Sequence, residues 1–352
     1  MAPGSAVAKP RRRTRVGLRL ALWALATTVA VDVLVTRRDE LTGATSTIGH
    51  LQWSWLALAV VAEGASIVAY AGLQRVLLGA GGLAAGIGSL TGITLAGYAI
   101  QNSFPAGPAW AAAFGFRQFR RLGADQVLAA WTMVVVAALS GAALALVAAF
   151  GLVLTKGQAS ELDLTEVILV LAVAVVMIVL ALRRRELAAR GLTAVVRGAI
   201  SGAQRLTGRP RGDAAEISES WRRRAAAVSP PRRTWVTACV LAVANWLCDC
   251  ASLALAFFAV RADVPWRGLA LAYGAGQLAA NLPITPGGLG VVEGSLVVAL
   301  IFFGGNRAST VGAVLLYRII SFWALVAVGW AAWAVLTLRY RRDAPVPVPV
   351  GR

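Results

Sequence analysis

The chain has 352 residues, of which 58% are hydrophobic and only 14% charged, and its mean hydropathy is +0.71. Soluble domains carry roughly 25% charged residues, so this composition excludes an ordinary soluble domain. Several apolar runs reach the ~20 residues that cross a bilayer. The sequence therefore predicts a multi-pass, all-α membrane protein.

Most of the basic residues lie in three clusters, although the net charge of +18 by itself could suggest nucleic-acid binding. Of the 34 Lys and Arg residues, five lie in 9–15, thirteen in 183–233 and four in 339–352. All three clusters flank apolar runs, which is the pattern that marks cytoplasmic loops. No recognition motif accompanies the charge, so we expect no nucleic-acid partner.

Residues that commonly perform catalysis or bind metals are scarce. His50 is the single histidine, which excludes a histidine-based metal cluster and a serine–histidine triad. Cys239, Cys248 and Cys250 lie in one apolar run, and residues two apart point to different faces of a helix. We expect neither a disulfide framework nor a zinc site, no cofactor, and no enzyme activity.

Six full membrane spans can be marked in chain order. The first follows a basic N-terminus and is longer than the apolar core of a signal peptide, so we expect the N-terminus inside the cell. The predicted spans are about 16–36, 51–72, 126–154, 164–182, 234–260 and 308–338. The basic loop 183–233 is expected to hold an interfacial amphipathic helix, and the proline-rich tail 343–352 to be disordered.

Two further apolar regions, 83–116 and 266–303, are interrupted by prolines at 105–108 and 283–286. Each half is short for a full crossing, so each region is predicted to be a helical hairpin, either re-entrant or a pair of complete crossings. Two hairpins place every basic loop, including Arg117, Arg120 and Arg121, on the cytoplasmic side. We therefore expect a protein of the cell (inner or plasma) membrane with both termini in the cytoplasm.

The two hairpins share a sequence pattern. Gly97 precedes Asn102 by five residues and Gly276 precedes Asn281 by five, and a Pro-x-x-Pro follows each asparagine. The preceding spans echo as well, since Glu63-Gly64-Ala65-Ser66 resembles Asp249-Cys250-Ala251-Ser252. Because the hairpins open from opposite sides, these echoes predict an inverted repeat of span, hairpin and span.

The second break, Asn281 to Gly290, holds two prolines and three glycines. Irregular backbone persists at membrane depth only when it is buried in protein or lines a wet cavity. A helix that restarts after Pro286-Gly287-Gly288 presents free amides and the positive end of its dipole, which suit a phosphate or a carboxylate. The alternative is a kink that serves packing alone.

Four charged residues lie well inside apolar segments: Glu63, Asp249, Glu293 and Arg318. Each charge near the centre of a span costs roughly 2.5–3.5 kcal/mol on insertion scales. Glu293 and Arg318 are expected at matching depths, where they could form an ion pair that only holds the helices together. Arg318 could also offer its guanidinium to a phosphodiester, and the two roles are compatible.

The stretch from Asn281 to Glu293, followed by Tyr317-Arg318, resembles the signature of the lysylphosphatidylglycerol synthase transmembrane region, a flippase-like membrane family. Around Asn102 and Pro105 the first half keeps part of the family's pattern but lacks its arginine and glutamate. The resemblance implies movement of a lipid or a lipid-linked headgroup between leaflets. The chain ends soon after its last span, so we expect no aminoacyltransferase domain and no lipid aminoacylation.

Residues from both breaks and from the neighbouring spans are therefore predicted to bind the substrate, an anionic phospholipid or a polyprenyl-linked lipid. They are Glu63, Asn102, Pro105, Asp249, Asn281, Pro283, Thr285, Pro286, Gly287, Gly288, Gly290, Glu293, Tyr317 and Arg318. Two other functions stay open: a membrane scaffold or regulatory subunit for an envelope lipid enzyme, and an ion-coupled transporter of a small anion. The lipid, the energy source and any homo-oligomer are not specified by the sequence.

Overall fold

A computed structural model describes residues 51–104, 106–155, 230–280 and 286–342. All regular secondary structure in these ranges is helical, which confirms the predicted all-α class. The elements in chain order are α1 (Trp53–Ala80), α2 (Ile87–Ser103), α3 (Gly107–Arg121), α4 (Gln126–Thr155), α5 (Arg232–Ala259), α6 (Trp266–Ala280), a 3₁₀ turn (Pro286–Gly288), α7 (Val291–Phe302), α8 (Arg307–Arg318), a π-helical segment (Ile319–Ala324) and α9 (Leu325–Arg342).

Four helices are long and apolar enough to cross a membrane: α1, α4, α5 and the continuous helix from α8 through the π-helical segment into α9. They coincide with four of the predicted spans. The predicted spans 16–36 and 164–182, the basic loop 183–233 and the tail 343–352 lie outside the described residues. The chain is thus a helical membrane protein.

Each interrupted region consists of two short helices. The first break lies between α2 and α3, where Ala106 has a left-handed backbone with φ of 55°. Gly107 follows, and a side chain there would collide with the carbonyl of Gln101 at the end of α2. This close approach requires glycine, because a Cβ atom has no room. The second break separates α6 from α7 and contains the 3₁₀ turn.

Helices α1 and α5 pack antiparallel along their lengths. Ser252 Oγ donates to the carbonyl of Ala59 at 3.1 Å, and Asn245 Nδ2 donates to Ser66 Oγ at 2.6 Å. Residue numbers rise along α1 as they fall along the facing side of α5. Because both bonds are buried and polar, they set the register of the two helices in an apolar surrounding.

The arms of the hairpins pack against long helices through glycines. In α9, Gly329 lies directly on the carbonyl of Leu95 in α2. In α4, Gly151 lies on the backbone of Ala270 and Leu271 in α6. Small residues allow helix backbones to approach closely inside a membrane. The first arm of each hairpin therefore packs on a long helix from the other half of the chain.

We expect Gly151→Ala to destabilise the protein by about 1–3 kcal/mol, because the new methyl group would overlap the backbone of α6. Gly141→Ala is the matched control in the same helix, where a Cβ would have no atom within 4 Å. Alanine is the better helix former, so the control should keep or slightly raise the melting temperature. Thermal unfolding in detergent measures both, and equal melting temperatures would contradict this packing.

Candidate functional site

The two helix breaks meet in the structure. Gly287, in the 3₁₀ turn, has a φ of 65° and lies between the end of α2 and the π-helical segment. A Cβ at Gly287 would lie 2.6 Å from the ring of Phe322 and 3.2 Å from Asn102 Oδ1. Only glycine fits both the backbone conformation and the space. Residues from both hairpins and from the last long helix thus converge here.

The end of α2 is tied to the π-helical segment. Asn102 is half-buried, and its Nδ2 donates to the carbonyl of Tyr98 at 2.9 Å. Tyr98 in turn donates its hydroxyl hydrogen to the carbonyl of Ser321 at 2.7 Å. π-Helical turns inside α-helices occur frequently at functional sites. This one directly follows Arg318 and carries Phe322, so its geometry decides where both side chains lie.

Glu293 and Arg318 form the predicted ion pair, with 2.7 Å between Arg318 Nε and Glu293 Oε1. The other oxygen, Glu293 Oε2, accepts a hydrogen bond from the backbone N–H of Gly290 at 2.7 Å. A glutamate at this position caps the first turn of α7, and its negative charge interacts favourably with the positive end of the helix dipole. The helix start thereby fixes the carboxylate, and the carboxylate fixes the arginine.

Arg318 is largely enclosed but retains hydrogen-bonding capacity. Its side chain is 9% exposed, and that of Glu293 is 20% exposed. Arg318 Cζ lies 4.5 Å from the centre of the Phe322 ring, a cation–π contact, and Nη2 lies 3.5 Å from the carbonyl oxygen of Gly287. Among the described residues, no hydrogen-bond acceptor lies at Nη1. A guanidinium with unused N–H groups can bind a second anion.

A second polar cluster surrounds Asp249 in α5. Asp249 Oδ2 accepts hydrogen bonds from the Tyr273 hydroxyl at 2.8 Å and from Gln277 Nε2 at 3.2 Å. Asp249 Oδ1 accepts from the Tyr317 hydroxyl at 2.7 Å, and Gln277 Nε2 also donates to that hydroxyl at 3.1 Å. The carboxyl group therefore joins α5, α6 and α8, and its contact in α8 is the residue before Arg318.

Glu63 in α1 completes this cluster. It is 4% exposed, and its Oε2 atom has no hydrogen-bond partner among the described residues. The antiparallel register of α1 and α5 brings the two acidic residues to the same level. Neither carboxyl group hydrogen-bonds to Arg318, which is oriented by Glu293. Glu63 and Asp249 instead form a pair of their own.

Among the predicted site residues, Pro105, Asn281, Pro283 and Thr285 lie outside the described residues. The others fall into two groups. The first contains Asn102, Pro286, Gly287, Gly288, Gly290, Glu293 and Arg318, and the second contains Glu63, Asp249 and Tyr317.

Sequence reasoning missed Tyr273, Gln277 and Phe322. Tyr273 and Gln277 lie four residues apart in the arm that leads to the second break, and this spacing puts them on one helix face. That pattern could have identified them. Phe322 could not be selected in this way, because the π-helical geometry that brings it under Arg318 has no simple sequence signature.

We expect Gly287→Ala to lower the melting temperature, because the methyl group would displace the Phe322 ring on which Arg318 rests. Gly290→Ala is the matched control: its φ of 81° is also strained for alanine, but a Cβ there would meet no atom within 4 Å. Strain alone costs about 1–3 kcal/mol in either variant. Thermal unfolding in detergent measures both variants, and the extra loss of melting temperature in Gly287→Ala reports the clash with Phe322. Equal losses in the two variants would contradict this contact.

Comparison with known proteins assigns the chain to a membrane-protein family. Two curated proteins of Methanothermobacter thermautotrophicus, each described as a UPF0104 membrane protein, match parts of the chain. One is 31% identical over 87 residues, which is 25% of this chain and 26% of the relative. The other is 30% identical over 90 residues, which is 26% of this chain and 27% of the relative. The matched segments thus span about a quarter of each relative's length. The family model described as lysylphosphatidylglycerol synthase TM region matches residues 16–329, and the chain therefore belongs to that family.

Proposed function

We propose that this protein moves an anionic phospholipid, or a lipid-linked anionic headgroup, between the leaflets of the cell membrane. One observation carries the proposal: Arg318, an intramembrane cation with unused donors among the described contacts, lies where the two broken helices meet. Ionisable residues at this depth are costly and typically mark a substrate path. The partner of a guanidinium on such a path is a phosphate or a carboxylate.

The broken backbone supports this assignment. A packing kink needs a single proline or glycine, whereas the second break places Gly287, Gly288 and Gly290 at positive φ within four residues. Glu293 already occupies the positive end of α7, so an arriving phosphate would meet a neutralised helix end. Arg318 is then the group that binds the phosphate, while Glu293 holds it in place and leaves its outer N–H groups available.

The family supports a lipid as the substrate. Its name refers to a synthase of lysylphosphatidylglycerol, which is a derivative of an anionic phospholipid. Side chains held in an ion pair and in a hydrogen-bonded cluster are suited to binding and orienting a headgroup. We therefore propose transport rather than catalysis, with membrane lipids as the partners.

The packing of the helices supports a transporter built from an inverted repeat. The crossing of α1 and α5 relates the two halves, and the first arm of each hairpin packs on the long helix that follows the other hairpin. Transporters with such repeats place the substrate where the broken helices of the two halves meet. We propose six full spans, two hairpins and both termini in the cytoplasm.

The role of Arg318 can be separated from that of a structural ion pair by a double-mutant experiment. Arg318→Met and Glu293→Gln should each destabilise the protein by about 3–5 kcal/mol, because each leaves a buried charge without its partner. The double variant should melt near the wild-type temperature, since both charges are gone. It should nevertheless fail to move lipid, because no guanidinium remains to bind the phosphate.

The measurement is thermal unfolding in detergent together with exchange of a fluorescent phosphatidylglycerol between the leaflets of reconstituted phosphatidylcholine vesicles. Arg318→Lys keeps the charge but loses the planar fork, so it should retain folding and lose most of the exchange. Wild-type exchange in the double variant would remove Arg318 from the substrate path. Anion uptake without lipid exchange would indicate a small-anion transporter. A well-folded wild-type protein with neither activity would favour the scaffold.

The proposed topology predicts which surface loops are accessible from each side. In a variant without Cys239, Cys248 and Cys250, a single cysteine at Arg307 should react with an impermeant maleimide added outside cells. A cysteine at Arg121 should react only after the membrane is opened, because basic loops stay in the cytoplasm. Labelling of residue 121 from outside would exclude the first hairpin and the inverted repeat with it.

A further inference from the structure

We infer that Glu63 and Asp249 form a proton-binding site that couples lipid movement to the proton gradient, an inference that rests on the proposed transport function. The two carboxyl groups come from α1 and α5, and the buried hydrogen bonds that set the register of these helices bring them to the same level inside the bundle. Because ionised carboxylates only accept hydrogen bonds, a hydrogen bond between the two groups requires a proton on one of them. Two like charges at this distance cannot both be kept ionised in an apolar surrounding.

The surrounding contacts assign the proton to Glu63. Asp249 accepts hydrogen bonds from Tyr273, Gln277 and Tyr317, and these donors stabilise it as a carboxylate. Glu63 has no such support: it is 4% exposed, and its Oε2 atom lacks a partner. A protonated Glu63 can donate its hydrogen to Asp249, and this single proton removes the repulsion between two like charges.

The ionisable groups around the pair do not replace this proton. Helix α4 also packs on α1 and has no ionisable side chain. Among the described residues, the titratable and charged groups that face the pair are Tyr98 from α2, Cys248 and Cys250 from α5, Tyr273 from α6, and Tyr317 and Arg318 from α8. Of these, Arg318 is the cation, and Glu293 already neutralises it.

The structure connects the pair to the site at Arg318. Asp249 holds the hydroxyl of Tyr317, and Gln277 links the same two groups. Tyr317 directly precedes Arg318, and the π-helical segment begins at the next residue. Release of the proton from Glu63 would leave two carboxylates together. Their negative charge would strengthen the hydrogen bond from the Tyr317 hydroxyl and the electrostatic attraction of Arg318. Protonation of the Glu63–Asp249 pair thus changes the position that Arg318, the proposed phosphate-binding residue, prefers.

The first test does not depend on transport. Infrared spectra of the purified protein in detergent at neutral pH should contain the C=O stretch of a protonated carboxyl group. Glu63→Gln should lose this band, because the amide can donate to Asp249 without a proton. The control Asp263→Asn, at an exposed position between α5 and α6, should keep it. Absence of the band in the wild type, or its persistence in Glu63→Gln, would overturn the proton site.

The second test measures coupling in phosphatidylcholine vesicles that contain fluorescent phosphatidylglycerol and an enclosed pH dye. Wild-type exchange should respond to an imposed pH gradient, and Glu63→Gln should lose that response. Exchange that ignores the gradient, or that follows a sodium gradient at constant pH, would overturn the coupling while leaving the transport function intact. A wild type without any exchange would refute the transport function and the coupling together, whereas the infrared band would still decide the proton site.

Discussion

A charged side chain inside a bundle of apolar helices must be paired, and the pairing of Arg318 with Glu293 organises the centre of this protein. The carboxylate is itself fixed by the backbone at the start of α7, so the helix that restarts after the second break positions the arginine. Phe322 and the carbonyl of Gly287 complete its surroundings. The break, the helix start and the last long helix are therefore linked through one guanidinium.

The crossing of α1 and α5 creates the second polar centre. Its register is set by buried hydrogen bonds between the helices, and this register brings Glu63 and Asp249 together. Asp249 then connects to α6 and α8 through Tyr273 and Tyr317. The two polar centres are neighbours along α8, where Tyr317 belongs to one and Arg318 to the other. The two centres are therefore joined through adjacent residues of one helix.

Glycine has a separate role in each part of the bundle. Gly151 and Gly329 allow the hairpin arms to touch the backbones of long helices, whereas Gly287 supplies a positive φ and the space that Phe322 and Asn102 occupy. The first role is close packing between helices, and the second is a backbone conformation that other residues rarely adopt. Both explain why a chain of apolar helices carries so many residues that are poor helix formers.

Much of the architecture followed from the sequence alone, because length and hydropathy decide which helices can span a membrane and proline marks where they break. The matching depths of Glu293 and Arg318 likewise indicated that the two could form an ion pair. Other features required the tertiary structure. Sequence spacing says nothing about which helices cross, so the contact between Glu63 and Asp249 and the donors Tyr273 and Gln277 emerged only from packing. The position of Phe322 depends on a π-helical segment, which no simple sequence pattern marks and whose Ser321 carbonyl accepts a hydrogen bond from the distant Tyr98.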